Sequence, residues 1–349
     1  MELMFNWEAL TTRGKAYTFD DVLLVPNKSE VRSRRDPDLS THLTREMTID
    51  RPFISANMDT VTEAEMAIGM GKLGAIGILH RFMSIADQVK QVTRVKESGA
   101  AHIGASIGVN EDYQDRAKAL VESGVDVLTI DIAHGHSVAM LEVMSWLKSE
   151  FKGLQIIAGN IATPKGAEDL IEAGADAIKV GIGPGSMCTT RIITGCGVPQ
   201  LTAISLCAHV ARAKGVPVIA DGGVKSSGDI VKALAAGADS VMLGSLLAGT
   251  IETPGPIRNG MKQYRGMASK AAQVSWRGGV PEGMAPEGES TQLPVKGHIY
   301  DVINELSGGL RSGMSYLNAT RIEDIRSNAL FMEMTPMGIL ESRAHGLKN

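Results

Sequence analysis

Between Lys179 and Gly197 the chain reads KVGIGPGSMCTTRIITGCG. One cysteine, Cys188, stands between Gly183-Pro184-Gly185-Ser186 and the pair Thr189-Thr190, with Arg191 close behind. A thiolate is a strong nucleophile, and neighbouring positive charge favours it over the thiol. Glycines let backbone N–H and C=O groups approach a ligand closely. The opposing possibility is a glycine-rich turn around an inert buried thiol, the common fate of a free cysteine. The density of Gly, Ser, Thr and Arg around Cys188 favours the reactive reading, with Cys188 as a covalent nucleophile. Cys207, in an apolar helical pattern, reads as core, and Cys196 and Cys207 are expected to be dispensable for chemistry.

The elements that must hold this loop are short and regular. Eight apolar runs alternate with helical patterns: Pro52–Asn57, Gly74–His80, His102–Gly108, Val125–Ala133, Leu154–Asn160, Asp176–Ile182, Val216–Gly223 and Asp239–Ser245. Near-continuous apolar runs suit parallel strands buried on both faces. Ser84 is placed to cap the helix SIADQVKQVTRVKESG. The endings ESGAAH, ESGVD, EAGAD and AAGAD each put a glycine at a helix C-terminus, where the left-handed conformation suits it. The count and order predict a single-domain (β/α)8 TIM barrel over residues 1–349, with a mobile flap at about 268–297. A doubly wound sheet is the runner-up, but no GxGxxG follows the first strand. Tyr17–Arg35 reads as an extended or irregular arm over the bottom or side of the barrel.

Composition bounds the rest. A chain of 349 residues buries a large core, and a net charge of −4 with dispersed Lys and Arg argues against a nucleic-acid surface. No apolar stretch is long enough to cross a bilayer, and the N-terminus lacks a signal-peptide pattern. Three cysteines without a CxxC pair argue against disulfides and structural zinc, so a reduced, cytoplasmic protein is expected.

In a barrel of this kind the C-terminal strand ends carry function. The seventh strand ends in Asp221-Gly222-Gly223 and the eighth in Gly244-Ser245, the strand pair that commonly binds phosphate through backbone N–H groups. Ser186 adds a hydroxyl, and the acid Asp221 suits ribose hydroxyls. Plain βα-turn chemistry is the alternative. His134 and His136 share a loop, but a metal site there would need further converging ligands.

GIGPGSMCTTR followed by TGCGVPQ resembles the active-site loop of the family that joins IMP dehydrogenase and GMP reductase. The resemblance runs from YTFDDVLLVP at Tyr17 to the C-terminal region. It implies that Cys188 adds to C2 of a purine nucleotide while hydride moves between that carbon and nicotinamide. It implies nucleotide contacts from Ser55, Met58 and Asn160, and from Tyr264, Gly266, Met267 and Ala268 of the segment YRGMAS. It places the cofactor against His80, Arg81, Asp131, Ile132, Ala133 and Gly181, with Arg81 suiting a phosphorylated dinucleotide. It also implies K⁺ on the carbonyls of Gly181, Gly183 and Cys188, and a homotetramer. The regulatory CBS modules inserted in many dehydrogenases are not expected, because VKESG runs straight into AAHIGASIG.

The flap separates the family's two reactions. In the dehydrogenase an Arg-Tyr pair activates water; in the reductase a Thr-Glu pair manages protons as ammonia leaves. From Met267 to Gly297 there is no Arg-Tyr pair, since Gly278 follows Arg277, and APEGES resembles the reductase flap, with Glu287 beside Thr190. The segments AHGHS, GILHRF and ESRAHG resemble the dehydrogenase. Weighting the flap, which holds the discriminating residues, gives an NADPH-dependent GMP reductase acting through Cys188, Thr190 and Glu287. The alternatives are an IMP dehydrogenase without CBS modules and a non-catalytic purine-nucleotide binder.

Overall fold

The computed structural model describes residues 3–110 and 112–342. Of the ESRAHG segment, residues 343–346 lie outside that range. Eight parallel strands close into a barrel: β1 (Phe53–Ser55), β2 (Ile76–Leu79), β3 (Gly104–Ile107), β4 (Val127–Asp131), β5 (Gln155–Ile161), β6 (Ala177–Val180), β7 (Val218–Asp221) and β8 (Ser240–Leu243). Each pairs with the next, and β8 closes on β1 through Val241–Phe53 to Leu243–Ser55. All eight predicted strands are present, one or two residues shorter at most ends, because only the paired core of each apolar run is extended. The expected (β/α)8 TIM barrel is the architecture found.

The first helices are α1 (Ala64–Lys72), α2 (Ile85–Glu97), α3 (Tyr113–Ser123), α4 (Val138–Glu150) and α5 (Pro164–Glu172). A short α6 (Thr190–Thr194), α7 (Gln200–Ala213) and α8 (Ser227–Ala235) follow. Then come α9 (Lys270–Arg277) in the flap and α10 (Ile299–Tyr316), which packs on α1 and α8. Ser84 caps α2 by accepting from the Asp87 N–H. Side chains of Ser137, Thr163, Ser226 and Ser269 cap α4, α5, α8 and α9 in the same way, each cap contributing about 1 kcal/mol. Strand side chains such as Ile54, Ile78, Leu128, Ile157, Ile178 and Ile219 are at most 1% exposed. Burying each stabilises the fold by roughly 1.5–3 kcal/mol.

The repeated helix endings have a second purpose. Gly99, Gly124, Gly174 and Gly237 all adopt positive φ, between 76° and 116°. In three of the repeats an aspartate follows two residues after the glycine and reaches back to the preceding strand. Asp126 accepts from Ile103 N–H, Asp176 from Ile156 N–H and Asp239 from Val218 N–H, each at 2.8 Å. Burial pushes the Asp239 carboxyl up to about 6. A carboxyl raised on folding adds stability below its unfolded value near 4 and loses it as pH rises through 6. Asp239→Asn keeps an acceptor for Val218 without the charge. It is expected to stabilise the fold by about 1–2 kcal/mol at pH 8 and by little at pH 4, measured by urea unfolding at the two pH values.

The N-terminal arm is partly ordered. Val22–Leu24 pairs with Phe331–Glu333, which also pairs with Met4–Phe5, forming a small sheet on the barrel's side. Phe19 is buried, and the space over Gly223 is filled by its ring. The arm therefore reaches the functional rim as well as the side.

The flap is built as a hairpin with a helix in its tip. Strands β9 (Met261–Arg265) and β10 (Ser290–Pro294) pair antiparallel, with α9 between them. Among the described residues no helix is long and apolar enough to cross a membrane.

Candidate active site

A cavity of about 380 Å³ opens at the C-terminal ends of the strands. The chain reaches it from β6 through Gly181, whose φ is 154°; a Cβ there would fall 2.0 Å from the Asp221 carbonyl oxygen, so glycine is obligatory. The loop then carries Cys188 to the cavity wall and runs into α6. Arg191 was expected to favour the thiolate. Instead its guanidinium donates to the carbonyls of Ile182 and Val198 (2.6 Å for Val198) and clips the two ends of the loop together.

Cys188 Sγ lies 3.1 Å from Thr190 Oγ1, and Thr190 Oγ1 lies 2.7 Å from Glu287 Oε2. The backbone aligns this chain of donors. Thr189 N–H donates to Glu287 O at 3.3 Å, Glu289 N–H to Met187 O at 2.9 Å, and Gly266 N–H to Glu289 O at 2.9 Å. Gly266 and Gly288 make the approach possible, since a Cβ on either would stand 3.0 Å from the Met187 oxygen. Arg265 anchors the flap's base by pairing with Asp59 and donating to Ala271 O. The flap thus brings Glu287 against Thr190.

The loops after β7 and β8 have the composition and the free donors that an anion needs. The backbone N–H groups of Gly222, Gly223, Gly244 and Ser245 have no hydrogen-bond partner among the described residues. Unpaired backbone donors converging at strand ends bind phosphate without a cation. Ser186 Oγ and Tyr264 Oη lie 3.1 Å apart at the same wall, and burial raises the tyrosine's pKa, keeping it a donor. Met58, Asn160, Asp221, Met267 and Ala268 also line this space.

Of the residues expected against the cofactor, Arg81, Asp131, Ile132, Ala133 and Gly181 line the cavity. The Arg81 guanidinium is largely buried, which lowers its pKa, and its Nε has no partner among the described residues. An anionic group fits that unpaired donor. The site continues into a second cavity, of about 780 Å³, through Arg81, Phe82, Trp276 and Arg277.

Two expected contacts lie elsewhere. Ser55 is fully buried beneath the floor, its Oγ accepting from Thr62 at 2.8 Å. His80 is 2% exposed; its Nε2 faces Glu63 at 3.3 Å, and its Nδ1 accepts from Phe82 N–H. Each sits on the far side of its strand end from a residue that does line the cavity, Ala56 and Arg81 respectively. His136 pairs with Asp169 at 2.8 Å, and no cluster of metal-type side chains occurs among the described residues. Cys207 is buried, and burial pushes its thiol far up, consistent with an inert core residue. Sequence reasoning missed Phe82, Gln273 and Trp276, and the central Lys179, whose only signal was a charge inside the apolar run AIKV.

A parallel (β/α)8 barrel whose rim gathers a cysteine loop and the glycine-rich ends of β7 and β8 is the frame of an oxidoreductase family. The chain belongs to the IMP dehydrogenase / GMP reductase domain family, whose model matches residues 16–345. It is 43% identical to the inosine-5'-monophosphate dehydrogenase of Cryptosporidium parvum, over 96% of each chain. It is 39% identical to the protein of that name from Borreliella burgdorferi, covering 95% of this chain and 97% of the other. It is 36% identical to the one from Bacillus subtilis, over 98% of each.

These relatives overturn the reductase reading. The flap misled for a physical reason. A hydroxyl backed by a carboxylate hands a proton to a departing amine or takes one from water equally well. The pairing of Thr190 with Glu287 therefore does not separate the two reactions. The resemblance of AHGHS and GILHRF to the dehydrogenase was the better guide.

Proposed function

We propose that this protein oxidises IMP at C2 to XMP, with NAD⁺ as hydride acceptor and water as the source of the new oxygen. The observation that carries the reading is the aligned set Cys188 Sγ, Thr190 Oγ1 and Glu287 Oε2 at the cavity wall. Gly222, Gly223, Gly244 and Ser245 hold the phosphate of the nucleotide, and Asp221 takes the ribose hydroxyls. Cys188 adds to C2 as the thiolate, its proton released to solvent, so that Glu287 stays ionised for the later step. Asp131 and Arg81 hold the dinucleotide, which supplies the acceptor for the hydride leaving C2. The remaining thioimidate carries an electrophilic C2. Thr190, backed by Glu287, accepts a proton as water attacks that carbon, and the Cys188 thiolate leaves with release of XMP. The flap excludes bulk water until this step.

Absence of the Arg-Tyr pair is consistent with Thr190 and Glu287 as the water-activating group. The connection from α2 to β3 is only six residues, 98–103, which supports a barrel working without an inserted regulatory module. Family membership supports a homotetramer. The carbonyls of Gly183 and Cys188 accept no hydrogen bond among the described residues, and that of Gly181 accepts one, from Asn160. Uncharged oxygen donors of this kind suit K⁺. The test is incubation with IMP and NAD⁺ in K⁺ and in Li⁺ buffers. XMP and NADH in equal amounts are expected, with the rate falling at least about tenfold in Li⁺. No XMP in K⁺ defeats the reading; equal rates in both salts defeat the cation site.

A further inference from the structure

At the centre of the barrel β6 interrupts its apolar run with one charged side chain. Lys179 is 1% exposed. An ammonium buried alone costs several kcal/mol, so its partners explain its presence. Its Nζ lies 2.7 Å from Asp131 Oδ1 and 2.6 Å from Asp221 Oδ2, and it also donates to Asn160 Oδ1. All three of its protons are thereby used. Gly159 faces Lys179 in register across β5 and β6, and a Cβ there would stand 2.6 Å from the lysine Cβ. The barrel has made room for this side chain.

The partners lie on two sides of the cavity. Asp131 ends β4, on the wall assigned to the dinucleotide; Asp221 ends β7, beside the phosphate loops. Each carboxylate gives one oxygen to Lys179. The other oxygen of Asp221 has no hydrogen bond among the described residues, and both residues line the cavity. Asn160 extends the network, donating to Asp221 Oδ2 at 2.9 Å and to Gly181 O at 2.8 Å, at the root of the cysteine loop.

We propose that Lys179 is the positioning residue that couples the two halves of the site. One ammonium fixes the acid that receives the nucleotide ribose and the acid that receives the cofactor. The proposal rests on the IMP and dinucleotide reading above. Two carboxylates bonded to a single nitrogen are close enough to repel, and without the ammonium one of them would take up a proton. Burial acts to push the Asp131 carboxyl up. Lys179, with Arg81 after β2 and Asn57 after β1 beside it, more than offsets this and leaves it below the usual carboxylate range. A carboxyl held low is ionised throughout the neutral range. Removing Lys179 leaves burial dominant, so Asp131 then protonates as pH falls from neutrality.

The test is Lys179→Met, read by IMP calorimetry, by KM for IMP and NAD⁺, and by the pH profile of kcat/KM for NAD⁺. Losing a charge-assisted contact on each side should weaken IMP binding and raise both KM values about tenfold or more. The acid limb of the NAD⁺ profile should move up by about a pH unit or more. A purely structural lysine would lower the melting temperature without moving that limb. IMP affinity and both KM values within about twofold of the parent, with an unmoved limb, overturn the proposal. Should Lys179→Met fail to fold, Lys179→Met with Asp131→Asn removes a charge of each sign. That variant should fold, bind IMP at least about tenfold more weakly because Asp221 has lost its partner, and show no acid limb from position 131. Unweakened IMP binding in it overturns the proposal. Calorimetry with IMP needs no turnover. A wild-type protein whose IMP affinity depends on Lys179 but which does not oxidise IMP therefore refutes the reaction and leaves the coupling standing.

Discussion

Replacing Cys188 by alanine should lower turnover of IMP by about 10⁴-fold or more, the scale on which enzymes lose rate when a covalent nucleophile is removed. Nucleotide binding should survive. The proposed phosphate donors are backbone groups on the β7 and β8 loops, and Asp221 is held by Lys179 and Asn160, none of which involves the thiol. The cysteine side chain is only part-buried, so its loss opens no core cavity. IMP affinity by calorimetry should therefore stay within about threefold of wild type while steady-state NADH production disappears. Near-normal turnover by Cys188→Ala contradicts covalent catalysis.

The second large effect is at Glu287. Glu287→Gln preserves shape and an acceptor oxygen but removes the basicity that lets Thr190 take a proton from water. Steady-state kcat should fall by roughly 10²–10⁴-fold, the usual contribution of a positioned base. The loss should fall on hydrolysis alone, because the hydride leaves C2 before water is used. Mixing this variant with IMP and NAD⁺ should thus give a rapid burst of NADH approaching one equivalent per site, then a slow phase. Loss of the burst together with the slow phase would place Glu287 in the addition step instead. Unchanged kcat would remove it from the mechanism.

The barrel was legible because its physics is repetitive. Strands buried on both faces must be apolar throughout, and each helix must stop where a glycine can turn the chain. Segments such as LQIIAGN and the ending EAGAD therefore announce themselves. Strand ends also announced the rim, since Asp221-Gly222-Gly223 and the cysteine loop follow directly from apolar runs. Side-chain direction was harder to read. At the ends of β1 and β2 neighbouring residues point to opposite sides, so Ser55 and His80 turn away from the cavity where Ala56 and Arg81 face it. The flap helix α9 was not anticipated: the sequence reading assigned no helix between Met267 and Gly297. Lys179 looked like an interruption in a strand. Only the closed barrel, which brings β4 and β7 around β6, shows two carboxylates waiting for it. The direction of the reaction was not legible in the flap at all, because one proton-handling pair serves either chemistry.

The account stands or falls on a covalent purine at Cys188, and one measurement addresses it directly. Glu287→Gln protein mixed with IMP and NAD⁺, quenched in acid within the burst and digested, should yield a single modified peptide by mass spectrometry. The added mass should be that of IMP less one hydride and one thiol proton, carried on the peptide that contains Cys188 and absent when NAD⁺ is left out. An unmodified Cys188 peptide at full burst amplitude would contradict the mechanism.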